Sequence, residues 1–298
     1  MKNCVAYVRE RLQRNGKMSQ KELTSKRPPI DRCNICGKMD RLTDDHVPPK
    51  FWHNSSNKRY SQGLGTYDPE KTSLQFPWTA RGGIVFRSIC SDCNNRVLGS
   101  DTDKPLKDFC DQIRSNLKAG NNYINCRIKP NRIARAVLGH MLAAKDFFDD
   151  SSLVDKALRE YVLDPDSIPP ENLSLLYFVY PYNTIVIGRD IAVKQVTPKL
   201  FGSRVPDGMI SCLYSYPVGF LLVDSGQNLY LRDMFEFCTK DIDEERDILC
   251  TIDSHYYYGT KIPRDPLWPI NVSDDIDGTS FLIAGQAMKR LIVAVGKD

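Results

Sequence analysis

Asp45-His46 sets an acid beside a base, and two cysteine pairs, Cys33-Asn-Ile-Cys36 and Cys90-Ser-Asp-Cys93, bracket it, with Asn94 directly after the last cysteine. Two C-x2-C pairs supply four thiolates, the donor set of a tetrahedral structural zinc, and Gly37 after Cys36 suits a knuckle turn. Residues 37–89 between the pairs are far more than a minimal zinc finger needs, so something else is built there. Hydrolysis of a phosphodiester needs a base for water and a cation for the charge on the departing oxygen. Neighbouring side chains on an extended segment point to opposite faces, so Asp45 could hold a metal while His46 addresses water. Asn94, fixed by the zinc ligand before it, could be the second protein ligand. Zinc is then a scaffold, and a separate hard cation, Mg2+ or Mn2+, serves the chemistry.

These residues must be positioned by short elements. An extended stretch around Leu42 to Val47 ends at Pro48-Pro49, a second strand is expected at Ile84–Ile89 after the turn residues Gly82-Gly83, and a helix from about Cys93. The polar, Gly-containing Asn54–Gln75 reads as an exposed loop or insertion. Downstream, Ile133, Val137, Met141 and Ala144 recur at helical spacing within 131–148, with Asn131 as cap, and a second helix covers Leu153–Tyr161. Strand-like runs follow at Leu175–Tyr180, Thr184–Ile187, Ile191–Val196, Met209–Tyr214, Phe220–Val223 and Leu229–Leu231.

The ordered set Cys33-x2-Cys36, Leu42-Thr43-Asp44-Asp45-His46-Val47-Pro48-Pro49-Lys50, Ile89-Cys90-x2-Cys93-Asn94-Asn95 and Leu98-Gly99-Ser100 with Asp103 resembles the zinc-bearing HNH, or His-Me finger, endonucleases. The likeness covers roughly the first third of the chain. It implies a zinc-bound, treble-clef-like ββα module, with His46 as general base, Asp45 and Asn94 as cation ligands, and the four cysteines as the zinc site. Restriction, phage defence and mobile elements are what such a family commonly serves. Asn95 and Asp103 are further candidates to support the cation. One departure stands out: many members carry an Asn shortly before the second cysteine pair to orient the base, where this chain has Gly82-Gly83-Ile84-Val85-Phe86-Arg87. Either a backbone carbonyl or a loop residue such as Asn54 or Asn57 takes that role, or activity is weakened.

The expected fold class is α+β: a basic helical arm at 1–30, the nuclease module at 31–124, and an α+β domain with helices and an antiparallel sheet at 125–298, for specificity, sensing or partner binding. Of 298 residues, the first 120 carry 22 Lys+Arg against 13 Asp+Glu and the remainder 19 against 24, so the formal charge of +4 hides a basic first half. A basic segment attracts polyanions, and nucleic acid, DNA in particular, is the expected partner. Lys50, Arg81 and Arg87 flank the site as candidate phosphate contacts. A protein partner or homo-oligomer through the C-terminal half is a further expectation.

The longest apolar runs are too short to cross a bilayer, so no membrane association is expected, and the chain is read as soluble and cytoplasmic. Its other six cysteines are read as reduced thiols rather than a disulfide framework. No Gly-x-Ser-x-Gly elbow or phosphate-loop lysine occurs, and Gly63-Leu64-Gly65 lacks the context of a dinucleotide loop. Of the remaining histidines, His53 is read as an exposed loop residue, His140 as a packing residue on its helix, and His255 as part of an aromatic strand. The rival from another class is a non-catalytic zinc module that binds nucleic acid or a partner protein.

Overall fold

The computed structural model describes residues 27–62, 67–68, 73–74, 76–193, 208–227, 229, 231–251 and 291–296. Nearly all of the basic arm, Cys4 and His255 lie outside them.

Three short antiparallel strands carry the first motif: β1 (Ile30–Arg32), β2 (Met39–His46) and β7 (Val85–Cys90), with β2 central. A turn between β1 and β2 presents Cys33 and Cys36, closed by Gly37 N–H donating to the Cys33 carbonyl at 2.8 Å, with Gly37 at φ 72°. Such a φ costs glycine nothing. β2 and β7 pair from Leu42 opposite Cys90 to His46 opposite Val85, with a register shift between Thr43 and Asp44. The extra residue of this bulge, Ser88, turns its hydroxyl onto the Ala143 carbonyl at 2.6 Å. The helix expected from Cys93 comes in two pieces: α1 (Cys93–Ser100), wound as a π-helix, and α2 (Asp103–Lys118). Thr102 marks the break, its hydroxyl donating back to the Val97 and Leu98 carbonyls.

The segment expected as a loop, Asn54–Gln75, holds β3 (Lys58–Gln62), β4 (Tyr67–Asp68) and β5 (Ser73–Leu74). Tyr60 is buried and stacks on Trp78 of β6 (Trp78–Ala80), and this apolar pair seats the polar stretch in a sheet. β8 (Tyr123–Ile128) pairs with β14 (Arg246–Thr251). An eight-stranded antiparallel sheet then runs β13 (Arg232–Asp233), β9 (Leu173–Val179), β12 (Val218–Asp224), β11 (Gly208–Ser215), β10 (Thr184–Val193), β15 (Ile292–Gly296), β3, β6. The runs expected at 184–187 and 191–196 meet, over the described residues, in one bulged strand, Thr184–Val193, with 194–196 outside the described residues; beside the strand expected at 229–231, the structure has a strand at Arg232–Asp233. The fold is therefore mixed α+β with antiparallel sheets.

α3 (Pro130–Ala143) crosses between the two sheets, with every residue but Arg132 buried, and α4 (Leu153–Leu163) packs beside it. Pro130 opens α3 at its first turn; Asn131, expected as its cap, lies inside the helix and donates to the Thr239 carbonyl at 2.7 Å. The zinc-type knuckle closes the other end, where Asn34 Nδ2 donates to the Leu142 and Lys145 carbonyls at 3.1 and 2.9 Å. Those carbonyls have no partner within the helix, and the knuckle supplies one. One hydrophobic cluster runs from Cys33 through α3 to Ala294, so the motif-bearing strands and the large sheet share a core. Among the described residues no helix is long and apolar enough to cross a membrane.

Candidate metal centre and the Asp45-His46 site

Cys33, Cys36, Cys90 and Cys93 bring their sulfurs within 4.8 Å of one another, and three of the four are buried. Sulfurs at the corners of a tetrahedron about 2.3 Å from a zinc ion lie about 3.8 Å apart. Cys36 and Cys90 Sγ are 3.8 Å apart. The Cys90 N–H donates to Cys33 Sγ at 3.3 Å, which favours a thiolate there. A hydrogen bond from Cys93 holds the Cys33 thiol below its ordinary range, and the same bond, with burial, pushes Cys93 up. Burial also pushes Cys36 up, to about 11. Four thiols in one buried place cannot all ionise without a cation to share their charge, and this donor set fits a metal ion such as zinc.

His46 closes β2, and its half-buried ring sets Nε2 3.1 Å from the Gly82 carbonyl. Asn57 holds Gly82 in turn, accepting its N–H at 3.0 Å. The carbonyl and the loop asparagine, expected as alternatives, thus act in series. The turn before β7 is shaped by Asn54, fully buried, which donates to the Pro48 and Ile84 carbonyls at 2.7 and 2.9 Å and accepts from Ile84 N–H at 2.7 Å. Gly83 sits at φ 112°, and a Cβ there would lie 2.2 Å from the Asn54 carbonyl oxygen. A side chain has no room there. Burial, the largest influence, holds the His46 imidazole below its ordinary range; the Gly82 carbonyl opposes it, the Lys50 cation adds to it, and the Asp45 and Asp44 carboxylates oppose it more weakly. The ring is neutral at neutral pH.

Asp45, one residue earlier, turns inward and is 7% exposed. Its Oδ2 lies 3.3 Å from Nδ1 of His140 on α3, an ion-pair distance without hydrogen-bond alignment, so this buried oxygen keeps its hydrogen-bonding capacity unspent. His140 Nε2 lies 2.8 Å from Asp103 Oδ1. Burial alone would lower the His140 pKa, but the carboxylates of Asp103 and Asp45 outweigh it and raise it to about 10. His140 is thus an imidazolium between two carboxylates, not the packing residue expected from its place on an apolar helix. The signal was present: a fully buried helix that carries Asn131, Arg135 and His140 must find each a polar partner.

Asn94 opens α1 beside β2. Its Nδ2 donates to Thr43 Oγ1 at 3.1 Å and to the Asp44 carbonyl at 3.4 Å, so its amide nitrogen faces β2. Asn95 bonds Ser91 on the exposed side, and Asp103 is spent on His140. Lys50 and Arg81 are exposed beside the His46 turn. Arg87 instead grips the Asp44 carboxylate with two hydrogen bonds, at 2.7 and 3.1 Å. His53, expected on an exposed loop, is half buried and bonds Asn183.

Comparison with known proteins finds no matching family model, no matching curated protein and no matching solved structure.

Proposed function

We propose that the chain is a metal-dependent endonuclease of the HNH kind, hydrolysing phosphodiester bonds in nucleic acid, with DNA as the favoured substrate. The observation that carries this reading is the setting of His46: a neutral, half-buried imidazole at the end of β2, held by a backbone carbonyl, with a buried carboxylate as its chain neighbour. Donation from Nε2–H to Gly82 leaves the lone pair on Nδ1, where the ring takes a proton from water. Asp45 and Asn94 are the residues that would hold a hard cation such as Mg2+ or Mn2+, and the buried Asp45 Oδ2 without a hydrogen bond fits that use. Such a cation, when bound, stabilises charge on the scissile phosphate and the departing oxygen. His140 braces Asp45 from behind, and exposed Lys50 and Arg81 present cations to the phosphate backbone on the His46 side. The four-cysteine site, loaded with zinc, fixes β1, β7 and the start of α1 relative to β2. In this reading β2, β7 and α1–α2 form the ββα module.

One observation favours the rival, a non-catalytic zinc module: Asp45 is almost wholly buried and faces His140, as a purely structural ion pair would be. Supercoiled plasmid incubated with the purified protein and Mg2+ or Mn2+ separates the two. Nicked or linear product is the result expected. A zinc-replete protein that cuts neither DNA nor RNA with either cation would sink the nuclease reading.

A further inference from the structure

Lys58, the first residue of β3, is 1% exposed, and its ammonium has no hydrogen-bond partner among the described residues. A buried, unpaired ammonium is costly, and a ligand that supplies the missing charge removes the cost. The sheet register shows where it points. Lys58 stands opposite Gly296 on β15 and Ala80 on β6, and cross-strand partners carry their side chains to one face. A Cβ on Gly296 would lie 3.2 Å from Asn183 Nδ2, so the Asn183 amide covers that face beside Lys58. Asn183 Oδ1 is bonded by His53 Nε2 at 2.5 Å, and His53 adopts a left-handed backbone, φ 58°. The His53 ring meets Tyr216 edge-on at 6.2 Å, and the Arg114 guanidinium lies 5.9 Å from the same Tyr216 ring. Arg114 also donates to the Phe51 carbonyl and pairs with Asp111. Burial and the Lys58 and Arg114 cations depress His53, so the three basic groups share one field.

We infer that Lys58, His53, Asn183 and Arg114 form a phosphate-binding subsite that receives a backbone phosphate of the nucleic acid beside the scissile one. The inference rests on the nuclease reading for its substrate, and on the fold for its place. His53 ends the turn that begins at His46, and Lys58 pairs with Ala80, two residues before the Gly82 that holds His46. Four segments bring these groups into one neighbourhood, Lys58 and Asn183 through Gly296, His53 through its bond to Asn183, and Arg114 through Tyr216, and together they offer the donors that phosphate oxygens take.

Lys58→Met tests it, because it keeps the apolar stem and removes a buried charge that has no partner. Without ligand its Tm should equal or exceed that of the wild type. Inorganic phosphate should raise the Tm of the wild type and not of the variant. For a short DNA duplex in EDTA, affinity should fall about tenfold, and the slope of log K against log salt should fall by about 0.9, as for one lost phosphate contact. Asn183→Asp, which places a carboxylate beside Lys58, should reproduce the loss with a raised Tm. A DNA slope unchanged in both variants overturns the inference, and so does a phosphate-induced Tm rise in Lys58→Met equal to that of the wild type. A phosphate effect lost with the DNA slope kept would make this a site for free phosphate and overturn the backbone assignment. Binding is read without cleavage, so a wild type that binds through Lys58 yet never cuts would refute the nuclease reading and leave the subsite standing.

Discussion

At the residue scale, two histidines near one aspartate divide the work between them. His46 is held neutral chiefly by burial, whereas His140 is held charged by Asp103 and Asp45. The His140 pKa in the folded chain lies above its unfolded value of 6.5, so its contribution to stability is complete below about pH 6.5 and is lost as pH rises through about 10. Metal-free protein should accordingly lose Tm across that window, and His140→Gln should flatten the loss while lowering Tm throughout. A Tm profile over pH 6.5–10 that is the same in both proteins would rule this out. The Asp45-His46 pair and the cysteines were legible from type and spacing. His140 was not, because its partners lie 95 and 37 positions away in the chain and helical periodicity reports a face, not what that face meets. The Gly82 carbonyl was legible only as a class of solution, since a backbone atom leaves no mark in a side-chain pattern.

At the element scale, the turn before β7 is held by Asn57, which accepts from Gly82 N–H, and by the buried Asn54. Asn54 makes three buried hydrogen bonds, and truncation would leave the Pro48 carbonyl and the Ile84 N–H without partners, while the Ile84 carbonyl keeps the Val47 N–H. At about 1 kcal/mol for each bond, Asn54→Ala should cost roughly 3 kcal/mol, read as a lowered urea midpoint, with impaired cleavage because Gly82 loses its seat. An unchanged midpoint would mean the turn is held otherwise. Replacing Cys33 or Cys93 by Ser should abolish stoichiometric metal binding, counted by mass spectrometry, and loosen the β1–β2 turn that presents Cys33 and Cys36. Retention of stoichiometric metal by either variant would contradict the four-cysteine site. β2 and β7 were legible because apolar residues and Pro-Gly punctuation bound them, whereas the three-residue β1 was not. β3 was hidden because its sequence, Lys58-Arg-Tyr-Ser-Gln, is polar and becomes a strand through its neighbours β15 and β6.

At the scale of the whole molecule, the motif-bearing first third is built into the rest. β3 pairs with β15 near the far end of the chain, Trp52 and Ser215 exchange hydrogen bonds at 2.9 and 2.7 Å, and α3 supplies both the wall of the core and the His140 behind Asp45. A fragment of residues 31–124 should therefore be poorly folded even with zinc. A dispersed NMR spectrum from that fragment would show the contrary. The α+β class and antiparallel sheet were legible as strand-like runs, but which strand neighbours which was not, because an order that sets β15 between β10 and β3 is decided by long-range packing. His46 is the proposed base of a phosphodiesterase centre beside the four-cysteine site. The most direct test of that role is the cleavage of supercoiled plasmid by wild type and His46→Ala side by side, with zinc counted in both. The account predicts nicking or linearisation by the wild type, a loss of at least about a hundredfold in the variant, and equal zinc. Equal cleavage by the two proteins would contradict it.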